Sequence, residues 1–536
     1  MKKFVSIAAL AVLGAGAFIA ATAQGGKPIV AASSQPVSLA PGKISDGGSI
    51  FVQDQIYDRL LEFKPGTTEV QPGLATGITG NADSTVWTIK LRTGVKFHDG
   101  TDFNAAAVKF NFDYWWDDTR PTFVKSGNSI VDSIFDAYKS GKDPISILKA
   151  VDVVDPTTVR VTLSSPMANF DEIMATGYFG IASPTAIQRA GEDKYGTAAT
   201  GAVGTGPYVF KSWQTGDRVI LEANKSYWKP GLPKNPGAII RIIGDVAARI
   251  AELRAGNVDI LPQGAIPYDN LAALKGDAKV TPIFLPSFNV GYLGLNQSAT
   301  WNGAKNPLAD LKVRQAIAAA VNKKAIVEAF YGEYGVTNPF LPALTMSATY
   351  SPKVKDYVYN PEAAKKLLAD AGYKDGFSME LWYMPVSRPY YPNAKPIAEA
   401  MAKDLAAVGI KAELKTKDWG AYLDDVDAGK LQAFMLGWTG DYNDADNFYT
   451  PLIGAGVSKE TGYENDKLFG LLKQGRRATS KDAKNAIYQQ VSEILYNDIV
   501  KYPIVHSRPL QAKRANLEGW VPSPLGNAYL AYMEVK

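Results

Sequence analysis

Between Asn360 and Leu436 the chain runs through one pattern three times: a helix with a single apolar stripe, a glycine stop, then a strand-length run. Asn360-Pro361-Glu362 opens the first helix, which presents Ala364, Leu367, Leu368 and Ala371 on one side and stops at Gly372. Strand Ser378–Tyr383 follows. Helix Lys395–Val408 carries Ile397, Met401, Leu405 and Val408 on its stripe, stops at Gly409 and leads into strand Ile410–Lys415. Helix Trp419–Ala428 ends at Gly429 and precedes strand Gln432–Leu436. Strands joined by single helices need crossover connections, which are right-handed and make a parallel sheet. The pattern therefore predicts an α/β fold, with ligands beyond the carboxyl ends of the strands.

Three chemically distinctive residues fall just after those strand ends. Arg388 lies in WYMPVSRPYYP, Trp382–Pro392, a loop stiffened by Pro385, Pro389 and Pro392. Trp419 follows the second strand, and Asp441 lies in GWTGDYNDADNF, Gly437–Phe448. One fixed cation and one fixed anion are thus expected at the same sheet edge, where a short zwitterion would fit. A planar guanidinium on a rigid loop suits bidentate capture of a carboxylate. Ordinary readings stand beside this one. Arg388 has the chemistry of an ion-pair partner, Asp441 of a loop or capping aspartate, and Tyr390, Tyr391 and Trp419 of core aromatics as much as of flat walls.

Other elements are legible elsewhere. Trp87, Ile89 and Leu91 alternate as a strand, and a helix starts after Asn104 with Ala105, Val108, Phe112 and Trp115 on one face. Tyr208–Ala223 reads as a hairpin turning at Gly216-Asp217. Ile239–Ile243, Asp245–Ala255 and Val258–Leu261 read as a βαβ unit, and Asp310 caps a helix with Val313, Ile317 and Val321 inward. At 536 residues the chain is too long for one core, so two or three lobes are expected.

Met1-Lys2-Lys3, the apolar run from Phe4 to about Ala20 and Ala21-Thr22-Ala23 read as a secretory signal with its cleavage site. No other run is long enough to cross a bilayer. The chain has no cysteine, which removes thiolate metal sites, iron–sulfur clusters, thiol catalysis and a lipid-anchor acceptor. A soluble periplasmic protein without a lipid anchor is expected. The net charge of +4 is interspersed, with no basic tract for nucleic acid. His98 and His506 are the only histidines; no G-x-S-x-G elbow is present, and Gly204-Thr205-Gly206-Pro207 lacks the Lys-Ser/Thr of a phosphate loop. Asp441, Asn443, Asp444 and Asp446 hint at a calcium loop, but Ala445, the missing turn glycine and Leu452 break its pattern. The chain is read as no enzyme, with no cofactor and no metal.

Several longer motifs carry a family resemblance. They are YDRLLEF (Tyr57–Phe63), PGLA (Pro72–Ala75), LRTGVKFHDG (Leu91–Gly100), GTGPY (Gly204–Tyr208), AGNVDI (Ala255–Ile260) and VRQAI (Val313–Ile317). Through them, over nearly all the mature chain, the sequence resembles the family 5 periplasmic solute-binding proteins of ABC transporters. MPVSRPY (Met384–Tyr390) and GWTGD (Gly437–Asp441) are most similar to dipeptide-binding members. The resemblance implies that Arg388 holds a peptide carboxylate, that Asp441 holds its α-amino group, and that Trp419 lines the site. Tyr390, Trp438 and Thr439 complete the expected ligand-binding set. Tyr391, where such dipeptide binders carry asparagine, and Tyr442 and Ala445 depart from the pattern. The fold implied is a three-lobed periplasmic binding protein with a two-segment hinge. Residues 1–23 form the signal; 24–66, 194–288 and 506–536 form a discontinuous lobe I; 67–193 form a small lobe II; and 289–505 form the ligand-binding lobe III. The implied partners of a monomer are a short peptide, foremost a dipeptide, and an inner-membrane ABC permease with its ATPase. The same transport role for an oligosaccharide, opine, glutathione, nickel complex or haem is the alternative.

Overall fold

In the computed structural model, residues 26–126, 129, 131–140, 146–262 and 265–536 are described. The expected signal segment, 1–23, lies outside them. Three sheets of four or more strands organise these residues. The largest has seven strands, in the order Val280–Phe284, Leu510–Arg514, Ile260–Leu261, Ile29–Ser33, Gly237–Ile242, Arg218–Ala223 and Tyr208–Gln214. The predicted hairpin forms its edge, and the predicted βαβ unit its centre. The two strands of that unit both run parallel to Ile29–Ser33, which lies between them. Their crossover helix, Val246–Ala255, begins where the Asp245 side chain accepts the Ala248 N–H at 2.7 Å and ends at Gly256, whose positive φ of 83° favours glycine.

A second, six-stranded sheet follows the order Gly335–Val336, Lys501–Ser507, Asn289–Leu295, Ala433–Thr439, Phe377–Trp382 and Ile410–Lys415. The three strands read from the repeated pattern are parallel to one another as expected. The sheet as a whole is mixed, which corrects the expectation of a parallel one. Asn289–Leu295 and Lys501–Ser507 enter from the two ends of this region without a single-helix crossover, and both pair antiparallel. Every residue of these two strands is buried. A third sheet, of Ala75–Gly80, Val86–Leu91, Thr158–Leu163 and Leu148–Asp155, is antiparallel and is covered by helix Ala105–Trp116, capped by Asn104.

The chain passes directly from the seven-stranded to the six-stranded sheet at 285–288 and returns at 508–509. Around the three parallel strands pack helices Pro361–Asp370, Ala394–Ala406 and Trp419–Asp427, and the first two bury residues their periodicity marked, including Ala364, Leu368, Ile397, Met401 and Leu405. One glycine controls how closely the Arg388 loop lies on the sheet. A Cβ on Gly437 would stand 2.3 Å from the Val290 carbonyl oxygen and 2.4 Å from the Tyr390 ring, so only glycine lets that ring rest on the strand. Gly437→Val is therefore expected to destabilise the protein by about 1–3 kcal/mol or more. Urea unfolding measures this, and an unchanged midpoint would contradict the packing.

Candidate functional site

A cavity of about 240 Å³ opens between the sheets and is lined by all six residues of the expected set: Arg388, Tyr390, Trp419, Trp438, Thr439 and Asp441. Strand geometry explains the convergence. Arg388 follows Phe377–Trp382, Trp419 starts the helix after Ile410–Lys415, and Asp441 follows Ala433–Thr439. These three strands are parallel, so their carboxyl ends lie on one side.

The Arg388 loop is held from several directions. Its backbone closes a turn through Arg388 N to Tyr391 O and Tyr391 N to Arg388 O, both 3.1 Å. Ser387 Oγ donates to the Ala265 carbonyl at 2.7 Å and accepts the Ala265 N–H at 3.1 Å. Ser507 Oγ donates to Pro389 O at 2.8 Å, and the Tyr331 hydroxyl to Tyr390 O at 2.7 Å. Arg388 itself is only 6% exposed. Its guanidinium lies 4.8 Å from the centre of the Trp419 ring, a cation–π contact.

The guanidinium is also paired within the protein. Arg388 Nη2 donates to Asp46 Oδ1, and Nη1 donates to Ser34 Oγ and to the carbonyl of Ser387, both at 3.3 Å. Asp46 caps helix Gly47–Ile56: its Oδ2 accepts from Ser49 N at 2.9 Å and Ser49 Oγ at 3.1 Å. Trp419 Nε1 donates to the same Oδ1 at 2.8 Å. The ion-pair reading of Arg388 is therefore realised, inside the cavity. Sequence reasoning missed Asp46. The pattern Asp46-Gly47-Gly48-Ser49 ahead of an apolar run signals a helix cap, but nothing local links it to an arginine 342 positions away.

Three aspartates of the second loop divide by partner. Asp444 pairs with Lys484, and Asp446 accepts from Thr450 Oγ1 at 2.5 Å and faces Arg476 at 3.4 Å. These two are structural. Asp441 instead meets neutral groups: Asn447 Nδ2 donates to it at 3.1 Å, and the Tyr178 hydroxyl lies near enough to favour its ionised form. Asn447 Oδ1 accepts from Asp441 N at 2.7 Å and from Trp438 Nε1 at 3.3 Å, which ties the loop together. Asp441 keeps part of its surface open to the cavity. Burial raises its carboxyl to about 7 against the pull of these donors, and the nearby Asp54 charge adds to the rise. Tyr178, on a short turn before residue 180, was the other residue missed. Of the two readings open for Tyr391, wall and core, the structure shows core: it is fully buried with its ring against Gly291.

An α/β molecule whose sheets enclose an aromatic cleft, with its polar groups fixed by hydrogen bonds at either side, defines a solute-binding protein. Residues 69–460 match the family described as bacterial extracellular solute-binding proteins, family 5 Middle. The chain belongs to that family. It is 34% identical over 532 residues to the dipeptide-binding protein of Escherichia coli strain K12, covering 97% of this chain and 96% of the relative. It is also 34% identical over 508 residues to heme-binding protein A of Haemophilus influenzae, covering 92% and 89%. Among solved structures, the dipeptide-binding protein of Pseudoalteromonas sp. SM9913 in complex with Met-Leu aligns with a TM-score of 0.87 at 28% identity, over 95% of this chain and all of that one.

The raised Asp441 carboxyl has a definite consequence for stability. An unfolded aspartate ionises near 3.9, so the folded state's preference for the proton favours folding fully below that value and is lost as pH rises through about 7. Asp441→Asn removes this loss. Its melting temperature relative to the parent is expected to be higher at pH 8.5 than at pH 5, by differential scanning calorimetry. A difference independent of pH would contradict the placement of Asp441.

Proposed function

We propose that this protein captures a short peptide, foremost a dipeptide, for import through an ABC permease and its ATPase. The observation that carries this reading is Asp441: a desolvated carboxylate, partnered by neutral donors, facing the same cavity as Arg388. Such a group is satisfied by a cation brought by the ligand. The peptide ammonium fills that place, and its carboxyl end extends toward Arg388. At about 3.5 Å per extended residue, two residues span roughly 7 Å, so anchors fixed at both ends act as a ruler. Tyr390, Trp419, Trp438 and Thr439 line the space between.

The names of its relatives point to more than one ligand, and the lining of the cavity favours one of them. The dipeptide-binding protein and heme-binding protein A are equally similar to this chain in identity. No His, Cys or Met is among the described residues that line the cavity, so three of the usual axial ligands of haem iron are missing there. The modest volume and the carboxylate awaiting a cation favour a small amine-bearing ligand. The Met-Leu complex of the Pseudoalteromonas protein supports the same reading.

The two direct passages between the seven- and six-stranded sheets, at 285–288 and 508–509, support a two-segment hinge. On that basis 24–66, 194–288 and 506–536 form one lobe, 67–193 a second and 289–505 a third. Export by the N-terminal segment, cleavage after Ala23 and delivery in the periplasm complete the proposal. No helix among the described residues is long and apolar enough to cross a membrane.

Isothermal calorimetry with a panel of dipeptides tests the reading. Binding to the parent protein is expected, with Asp441→Asn weakening it by about 30-fold or more, the loss for removing one partner of a buried charge pair. Affinity is expected to rise between pH 5.5 and 7.5 as Asp441 ionises. Unchanged affinity in the variant would overturn the site, and no dipeptide binding would overturn the function.

A further inference from the structure

We propose that Asp46 is a specificity-determining residue: by occupying Arg388 from within the protein, it lets the cavity accept peptides whose far end is neutral as well as those ending in a free carboxylate. This deepens the short-peptide reading and rests on it. An arginine committed to no internal partner would demand an anionic ligand, since an unpaired buried cation is costly. Here Arg388 Nη2 already donates to Asp46 Oδ1, and the Asp46 side chain is fully enclosed.

Asp46 is not a side chain that swings away at little cost. Ser49 N, Ser49 Oγ, Trp419 Nε1 and Arg388 all donate to its two oxygens. Its displacement would uncap helix Gly47–Ile56 and strand the Trp419 indole N–H. A ligand carboxylate must therefore share Arg388 with Asp46 at close range, where like charges repel strongly in a water-poor cleft. Arg249, buried on helix Val246–Ala255, lies near enough for Arg388 to oppose its charge, which leaves room for some attraction of an anion. Its Nε donates to the Ile243 carbonyl at 2.5 Å, it does not line the cavity, and Asp245 offsets it from solvent. Within the cavity, Asp46 is the group that sets the demand for a ligand carboxylate at Arg388.

The test compares Ala-Leu with Ala-leucinamide, which differ in the terminal charge and keep the ammonium. Dissociation constants are measured by calorimetry for the parent protein, Asp46→Asn and Asp46→Ser. Asparagine and serine both cap helices well, so each substitution removes the charge and retains the cap; the two side chains differ in size, and circular dichroism confirms the fold. In the parent the amide is expected to bind within about tenfold of the acid. In the variants the preference for the acid is expected to grow at least tenfold, because Arg388 then lacks its internal carboxylate. A preference that moves less than threefold in both folded variants would overturn the role of Asp46. If neither compound binds the parent, the short-peptide reading itself fails, and this inference fails with it.

Discussion

The contact between Arg388 and Asp46 joins two parts of the chain that sequence keeps far apart. Asp46 caps a helix that follows the central strand of the seven-stranded sheet, and Arg388 stands on the loop after a strand of the six-stranded sheet. Both side chains are withdrawn from water, so the attraction between them is little screened by salt. Removing one partner of such a pair typically costs about 3–5 kcal/mol, because the other charge is left buried alone. Trp419 stacks on the guanidinium and donates to the same carboxylate oxygen, so one aromatic ring reports the position of both.

At the other side of the cavity the physics is reversed. Asp444 and Asp446 are answered by Lys484 and Arg476, which tie their loop to its neighbours. Asp441, a few residues earlier, is answered by an amide and a phenol, which orient a carboxylate without neutralising it. Between these two positions the cleft thus sets a satisfied ion pair against a carboxylate that gains from a partner. This asymmetry gives the ligand a direction: the amine end carries the electrostatic gain, and the far end meets an arginine whose charge is already shared.

Much of this was legible in the residues. The glycine-terminated helices between Asn360 and Leu436 gave three parallel strands, and Asn104, Asp310 and Asn360, read as helix starts, all accept the N–H bonds of a cap. Strand ends then placed Arg388, Trp419 and Asp441 at one edge, because period and connection length are local properties. What was not legible was non-local. Asn289–Leu295 and Lys501–Ser507 are paired with each other across some two hundred residues, and no local signal says that they complete the sheet antiparallel. Asp46 and Tyr178 belong to segments whose own patterns specify only a helix cap and a turn. Tyr391 could be assigned neither to wall nor to core until the close approach of Gly291 was visible.

Direct identification of the native cargo bears most closely on this account. Protein purified from its own source is denatured, and the released small molecules are identified by mass spectrometry. Short peptides with unblocked α-amino groups, two residues long in the main, are expected. Haem, a sugar, or peptides uniformly blocked at the amino end would contradict it, because none of these supplies the cation that the Asp441 carboxylate is placed to receive.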